Sequence, residues 1–246
     1  SLLERDHRDQ GVRRVVERLK PDFDNISFDL MFGVPRQSLQ CWKETLQRAV
    51  ELEPQHVSTY GLTFEKGTAF WTRRQKGLLM EAAEELEREM YAAAMDELSD
   101  AGFEQYELSN FALPGRRCRH NEVYWRALSY YGFGPGAGRY VDGRRETNHR
   151  SVVTWINKVL AGEPAIGESE ELLPEDRARE ALVLGLRKCD GIDRCEFEEL
   201  TGFDVDDLAG DAIARNCLAG LLEETDSHVR LTREVRFLAE SVLICF

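Results

Sequence analysis

Two short apolar runs joined through one capped helix constrain this chain more than anything else in it. Ile26 to Phe32 alternates with period two, with Ile26, Phe28, Leu30 and Phe32 on one side and Ser27, Asp29 and Met31 on the other. Gly33-Val34-Pro35 ends that strand. Ser38 is an N-cap candidate for a helix whose apolar face is Leu39, Trp42, Leu46 and Val50. Pro54 follows the helix, and Val57 to Thr63 reads as a second, β-branched strand. Strand, helix and strand at this spacing predict a βαβ unit, hence a parallel sheet with a helical crossover and cover on both faces. An amphipathic helix over 9–20 precedes it, with Val12, Val15, Val16 and Leu19 in register and Pro21 as its stop. Asp29 lies mid-strand among apolar residues. It reads equally as a satisfied structural carboxylate or as a ligand contact near the strand ends, where such sheets bind ligands.

Downstream, Leu86, Met90, Ala94 and Leu98 form the stripe of a helix over 79–101, with Gly102 as its stop. Phe103 to Leu108 reads as a short strand. Strands flank the glycine run between Tyr130 and Asn148, with a turn at Asp142-Gly143. Val153, Trp155, Ile156 and Leu160 predict a helix ended by Gly162. The acidic segment Glu163 to Glu171, holding Pro164 and Gly167, is the linker candidate. Pro174 opens a further helix. Helices near 193–200 and 206–223, a strand at His228 to Thr232 and a last helix complete a winged-helix-like module, which lacks the basic face of a DNA binder.

The composition is that of an ordinary globular chain: 246 residues, 42% hydrophobic and 31% charged. A formal net charge of −13 argues against nucleic acid or an anionic membrane as partner. No run has the length of a membrane-spanning helix, and no signal peptide is visible. The six cysteines are dispersed without any Cys-x2-Cys pair, so they read as reduced cytosolic thiols, and a cytoplasmic location is expected. The chain does not begin with Met, which leads us to expect a piece of a longer polypeptide.

Cys118-Arg119-His120-Asn121-Glu122-Val123-Tyr124-Trp125 carries the densest chemistry, and the run from Gly132 to Gly138 follows it. Imidazole ligates metal or haem iron. Tyr and Trp can wall a flat apolar ligand while keeping a polar edge in water. Glycines let backbone approach a ligand closely. The same residues fit a structural turn as well, and Cys118 reads as a small buried residue.

His120-Asn121-x-x-Tyr124-Trp125 resembles the signature of the HemW haem chaperones, relatives of the oxygen-independent coproporphyrinogen III oxidases in the radical S-adenosylmethionine (SAM) superfamily. Other stretches resemble that family in order: Leu3 to His7, with Glu4 where the family has Gly; Asp29 to Gln37; Ser58 to Thr68; Tyr106 to Ala112; the Gly132 run; and Leu184 to Arg187 with Gly191 to Asp193. The likeness covers essentially the whole chain. It departs at one point: the Cys-x3-Cys-x2-Cys that holds the family's [4Fe–4S] cluster is absent from this sequence.

The resemblance therefore implies an α/β fold, the C-terminal part of a radical SAM partial (β/α)6 barrel followed by a small helical winged-helix-like domain. The implied division is 1–112, the end of the barrel; 113–166, the His120 motif and glycine-rich segment; and 167–246, the C-terminal helical domain. Arg5, Asp29, Thr63 and Gly138 align with SAM contacts. His120 matches the histidine implicated in haem binding and in ligating its iron, with Asn121, Tyr124 and Trp125 shaping that site. The implied function is a haem chaperone that delivers haem to hemoprotein acceptors, with SAM and the cluster belonging to the full-length family. A membrane-associated acceptor and a homodimer are compatible with it. The alternative reading is an oxygen-independent coproporphyrinogen III oxidase, and a third is a truncated product without activity.

Overall fold

The structure, a computed structural model, describes residues 9–246, with the backbone alone for Asp9 and Gln10. The expectation for Arg5 lies outside the described residues. By its internal contacts the chain separates into two compact units, 1–118 and 119–246.

The first unit runs α1 (Asp9–Leu19), β1 (Ser27–Phe32), α2 (Leu39–Val50), β2 (His56–Gly61), α3 (Ala69–Gln75), α4 (Glu84–Asp100), β3 (Glu104–Gln105) and β4 (Asn110–Ala112). Ser38 caps α2 as expected, its side chain accepting the Cys41 N–H at 3.1 Å. β1 and β2 are parallel, with Ser27 opposite His56 and Asp29 opposite Ser58. The purely parallel sheet is corrected here, because the order is β1-β2-β4-β3 and both later strands run antiparallel to their neighbours. The segment read as one strand over 103–108 turns back at Glu107. That carboxylate accepts the Ser109 N–H at 2.8 Å and holds Asn110, so the chain forms a hairpin instead.

The apolar face of this sheet is covered. Phe32 stacks on Trp42 and Tyr91, with ring centroids 5.7 and 6.3 Å away. Trp42, Leu46, Met90, Ala94 and Leu98 are fully buried where α2 packs on α4. Each large side chain so buried contributes ~1.5–3 kcal/mol. Trp42 also donates its indole N–H to the Met90 carbonyl at 2.8 Å. The opposite face is polar; it is buried along β2 and β4 at His56, Ser58 and Asn110 and open at Ser27 and Asp29 of β1. A strand alternates faces, and this face presents Ser27, Asp29, His56, Ser58 and Asn110. The long helix begins at Glu84 rather than 79, and α3 was not foreseen, because Thr68, which caps it, lies in a loop-like sequence.

The second unit contains α5 (Arg119–Trp125), β5 (Gly138–Val141), β6 (Arg144–Asn148), α6 (Val152–Leu160), β7 (Ile166–Glu171), α7 (Pro174–Leu186), β8 (Ile192–Asp193), α8 (Arg194–Thr201), α9 (Val205–Leu218), β9 (Leu222–Glu224), β10 (His228–Leu231), a 3-10 segment (Arg233–Leu238) and α10 (Ala239–Leu243). The linker over 163–171 is corrected: β7 is the third strand of the sheet β5-β6-β7. Its side chains are nearly all exposed, and edge pairing with β6 rather than hydrophobic burial makes it a strand. Asp142 and Gly143 both take positive φ, 51° and 81°, as the two-residue turn between β5 and β6 requires. The last helix of the 206–223 segment ends at Leu218, leaving room for β9. Helices α7, α8 and α9 with the small sheet β8-β10-β9 make the expected winged-helix-like module around Leu182, Leu186, Ile213 and Val229. No helix among the described residues is long and apolar enough to cross a membrane.

Candidate functional site

The residues 119–125 form a helix of two turns, and that periodicity divides the His120 motif. Side chains four apart share a face, whereas five apart are rotated by about 140°. His120 and Tyr124 therefore sit together. Their rings meet edge to face, with centroids 4.9 Å apart, and the Tyr124 hydroxyl lies 3.2 Å from His120 Nε2. His120 is exposed. Tyr124 in turn meets Tyr130 at 4.7 Å, and Tyr130 approaches Tyr140 at 6.4 Å. Tyr130 and Tyr140 exchange two backbone hydrogen bonds of 2.8 and 3.0 Å. The ladder of rings thus rests on backbone pairing with β5. Burial, with the Tyr124 hydroxyl next, raises the Tyr130 pKa and keeps its phenol neutral.

Trp125 and Asn121 occupy the other face of α5. The Arg187 guanidinium lies over the Trp125 ring, 4.9 Å from its centroid, and pairs with Glu240. The Trp125 indole N–H is buried with no hydrogen-bond partner. Trp125, Leu128, Ala181, Ile192, Phe197 and Leu200 give apolar walls to a cavity of about 370 Å³, at the low end of small-molecule pockets. Arg126, Lys188, Asp193, Glu196 and Glu199 carry the charges around it. Lys188 and Arg126 were not singled out from the sequence. Lysine after a helix is ordinary in a sequence, and only packing reveals that this one is half-buried.

The glycine run serves its own backbone. A Cβ on Gly132 would sit 2.1 Å from the Gly138 carbonyl oxygen, so only glycine fits there. The Asn148 side-chain amide donates to the Gly134 carbonyl at 2.8 Å, and the Gly136 N–H to the His149 carbonyl at 3.1 Å. Gly138 itself is exposed at the start of β5.

In the first unit, Asp29 is exposed on the polar sheet face and Thr63 is exposed beyond the end of β2. Beside Asp29 a hydrogen-bonded chain runs inward from the exposed Ser27: Ser27 Oγ to His56 Nδ1 at 2.8 Å, then the buried His56 Nε2 to the Tyr106 hydroxyl at 2.8 Å. Burial lowers the His56 pKa, and the Asp29 charge opposes that shift, so the imidazole is held neutral. An exposed carboxylate on such a face can accept from a ribose hydroxyl or an ammonium group. Cys118 is half-buried with a free thiol. Among the described residues no group of three or more His, Cys, Asp or Glu could share a metal ion. Together with the missing cysteine triplet, the residues present do not make up the ligand set of a [4Fe–4S] cluster.

Comparisons with known proteins follow this geometry. The HemN C-terminal domain family matches residues 172–238. A Bacillus subtilis protein named heme chaperone HemW is 35% identical, over 100% of this chain and 66% of its own length. A Lactococcus lactis protein of the same name is 36% identical, over 86% of this chain and 58% of that protein. In Danio rerio, radical S-adenosyl methionine domain-containing protein 1, mitochondrial, is 35% identical over 80% of this chain and 46% of that protein. The solved structure of Escherichia coli coproporphyrinogen III oxidase (HemN), a radical SAM enzyme, shares the fold with a TM-score of 0.80 at 17% identity, covering 99% of this chain and 60% of that one. The chain thus spans less than two-thirds of the length of each of these relatives.

Proposed function

Because the chain belongs to the family of HemW- and HemN-like radical SAM proteins, we propose that it carries the haem-holding surface of a haem chaperone that delivers haem to hemoproteins. The observation that carries this reading is the exposed imidazole of His120 set edge-on to Tyr124. A neutral imidazole offers iron one nitrogen lone pair, and the other nitrogen stays protonated. The Tyr124 ring lies beside it, backed edge to face by Tyr130, and offers an apolar surface to a macrocycle. A surface ligand of this kind favours transfer over permanent retention, because the cargo is not enclosed. Asp29 and Thr63 are proposed to contact SAM. SAM bound with its cluster supplies radical chemistry in this superfamily. The oxidase alternative draws on the fold and on the HemN C-terminal domain match, and the relatives named heme chaperone HemW at 35–36% identity favour the chaperone.

The test is a haemin titration followed in the Soret band, wild type against His120→Ala. The expected result is a red-shifted, saturable Soret band in the wild type and its loss or at least tenfold weakening in the variant. Identical spectra and affinities would remove His120 as the ligand.

A further inference from the structure

Helix α6 carries its apolar side outward. None of its nine residues is buried. Val152, Val153, Ile156, Val159 and Leu160 are each between 41% and 82% exposed. At about 100° per residue these five fall within one stripe about 120° wide, and Ile156 stands at the middle of both the stripe and the helix. The half-buried residues are Thr154, Trp155 and Lys158, on the other side, so two of the three side chains turned toward the body are polar. A surface helix packed on its own core does the reverse. The loop beside the entry of α6 extends the patch. Its Tyr131 and Phe133 are exposed. Asn148 donates to the Gly134 carbonyl at 2.8 Å and the Gly136 N–H to the His149 carbonyl at 3.1 Å, which ties that loop to the residues just before α6. A contiguous open apolar surface of this kind marks an interaction face.

The charges at the two ends of α6 select the occupant. Arg150, just before the helix, is exposed and has no ion-pair or hydrogen-bond partner among the described residues. Glu163, just after it, meets Lys158 at 3.3 Å yet keeps 61% of its side chain exposed. The helix dipole adds partial positive charge at the Arg150 end and partial negative charge at the Glu163 end. Two copies of α6 laid antiparallel about a twofold axis at Ile156 bring the Arg150 end of each against the Glu163 end of the other, with Val152 over Leu160 and the dipoles opposed. A parallel pair would set like charges together. An anionic lipid surface would meet a chain of net charge −13 whose next strand, β7, exposes Glu168, Glu170 and Glu171. From this we infer that α6 and the loop at 131–133 form a self-complementary interface with a second copy of this chain, antiparallel and centred on Ile156. The inference is independent of the haem-carrying reading of α5.

Sedimentation equilibrium of the chain over a concentration series reads the assembly. The wild type is expected to dimerise with a Kd on the order of micromolar, since one short helix and a loop make an interface below standard size. Ile156→Glu sets two carboxylates on the axis and is expected to weaken the dimer at least about a hundredfold. Arg150→Glu should weaken it about tenfold, and Arg150→Glu combined with Glu163→Arg should recover most of that. These side chains are exposed, so circular dichroism should stay native in each variant. Mild oxidation of Ile156→Cys is expected to give a crosslinked dimer above the wild-type background, whereas Asn157→Cys, about 100° around the helix, should not. A wild type still monomeric about tenfold above micromolar concentration overturns the proposal. Dimerisation indifferent to Ile156→Glu overturns it as well, because another face would then carry the contact. Flotation of a monomeric wild type with phosphatidylglycerol vesicles, lost in Ile156→Glu, would give the face to lipid and overturn it too. His120→Ala should dimerise like the wild type, so failure of haem binding and failure of this interface are separate results.

Discussion

Gly132→Ala and Gly138→Ala change two glycines of one run, and the structure predicts opposite outcomes. At Gly132 the new Cβ meets the Gly138 carbonyl oxygen at 2.1 Å and its carbon at 2.6 Å. These are backbone atoms and cannot swing aside. Ordinary contact begins near 3.4 Å, so the strands must part by about 1.3 Å. Overpacking of this kind costs ~1–3 kcal/mol. The nearest casualty is the Tyr130–Tyr140 bridge, two hydrogen bonds of 2.8 and 3.0 Å, of which one lost adds ~0.5–1.5 kcal/mol. The sum is about 1.5–4.5 kcal/mol, or a melting transition of the second unit lowered by roughly 6–18 °C at about 4 °C per kcal/mol. At Gly138 the added Cβ meets only the Glu146 carbonyl at 3.9 Å, an ordinary contact, and φ is not positive. That variant should melt within ~0.5 kcal/mol of the wild type or slightly above it, since alanine restricts the unfolded chain. Differential scanning calorimetry reads both. Because Tyr130 backs Tyr124, Gly132→Ala should also weaken haemin binding at His120. Equal melting of Gly132→Ala and wild type, or an equal drop in both variants, would refute the account of the run as backbone packing.

Tyr124→Phe removes a long, exposed hydrogen bond of 3.2 Å to His120 Nε2, worth ~0.5 kcal/mol, and keeps the ring. If Nε2 is the nitrogen that iron takes, haemin should bind about twofold tighter to this variant, and weaker binding in a competition titration would contradict that. His56 gives a pH prediction. Its folded pKa lies below the ordinary 6.5 because of burial, so below about pH 6.5 the unfolded chain takes up a proton that the folded chain refuses. Stability of the first unit should therefore fall as pH drops below 6.5, by at most ~1.4 kcal/mol per pH unit for one group, and be flat in this term above it. Urea unfolding at pH 7.5, 6.5 and 5.5 should show that slope in the wild type and lose it in His56→Gln; the same slope in both would assign it elsewhere.

Local signals served well where one short-range cause dominates. Ser38 and Pro174 start helices, Gly102 stops one and Asp142-Gly143 turns a hairpin, because each acts through its own φ, ψ or side-chain cap. The failures share a cause as well. β7 is polar and exposed, so only its partner β6 makes it a strand. β3 and β4 are too short for periodicity to register, and the buried Glu107 that bends the chain between them looks like any surface glutamate.

The same division holds for the candidate site. The family, the βαβ unit and the density of ring and imidazole side chains at 120–125 were legible from residue order, since they depend on spacing along the chain. That His120 stands exposed against Tyr124, that Trp125 turns away beneath Arg187, and that Lys188 is half-buried depended on the fold. Spacing assigns a side chain to a helix face, but its partners and its solvation come from segments far away in sequence, and only packing brings those together.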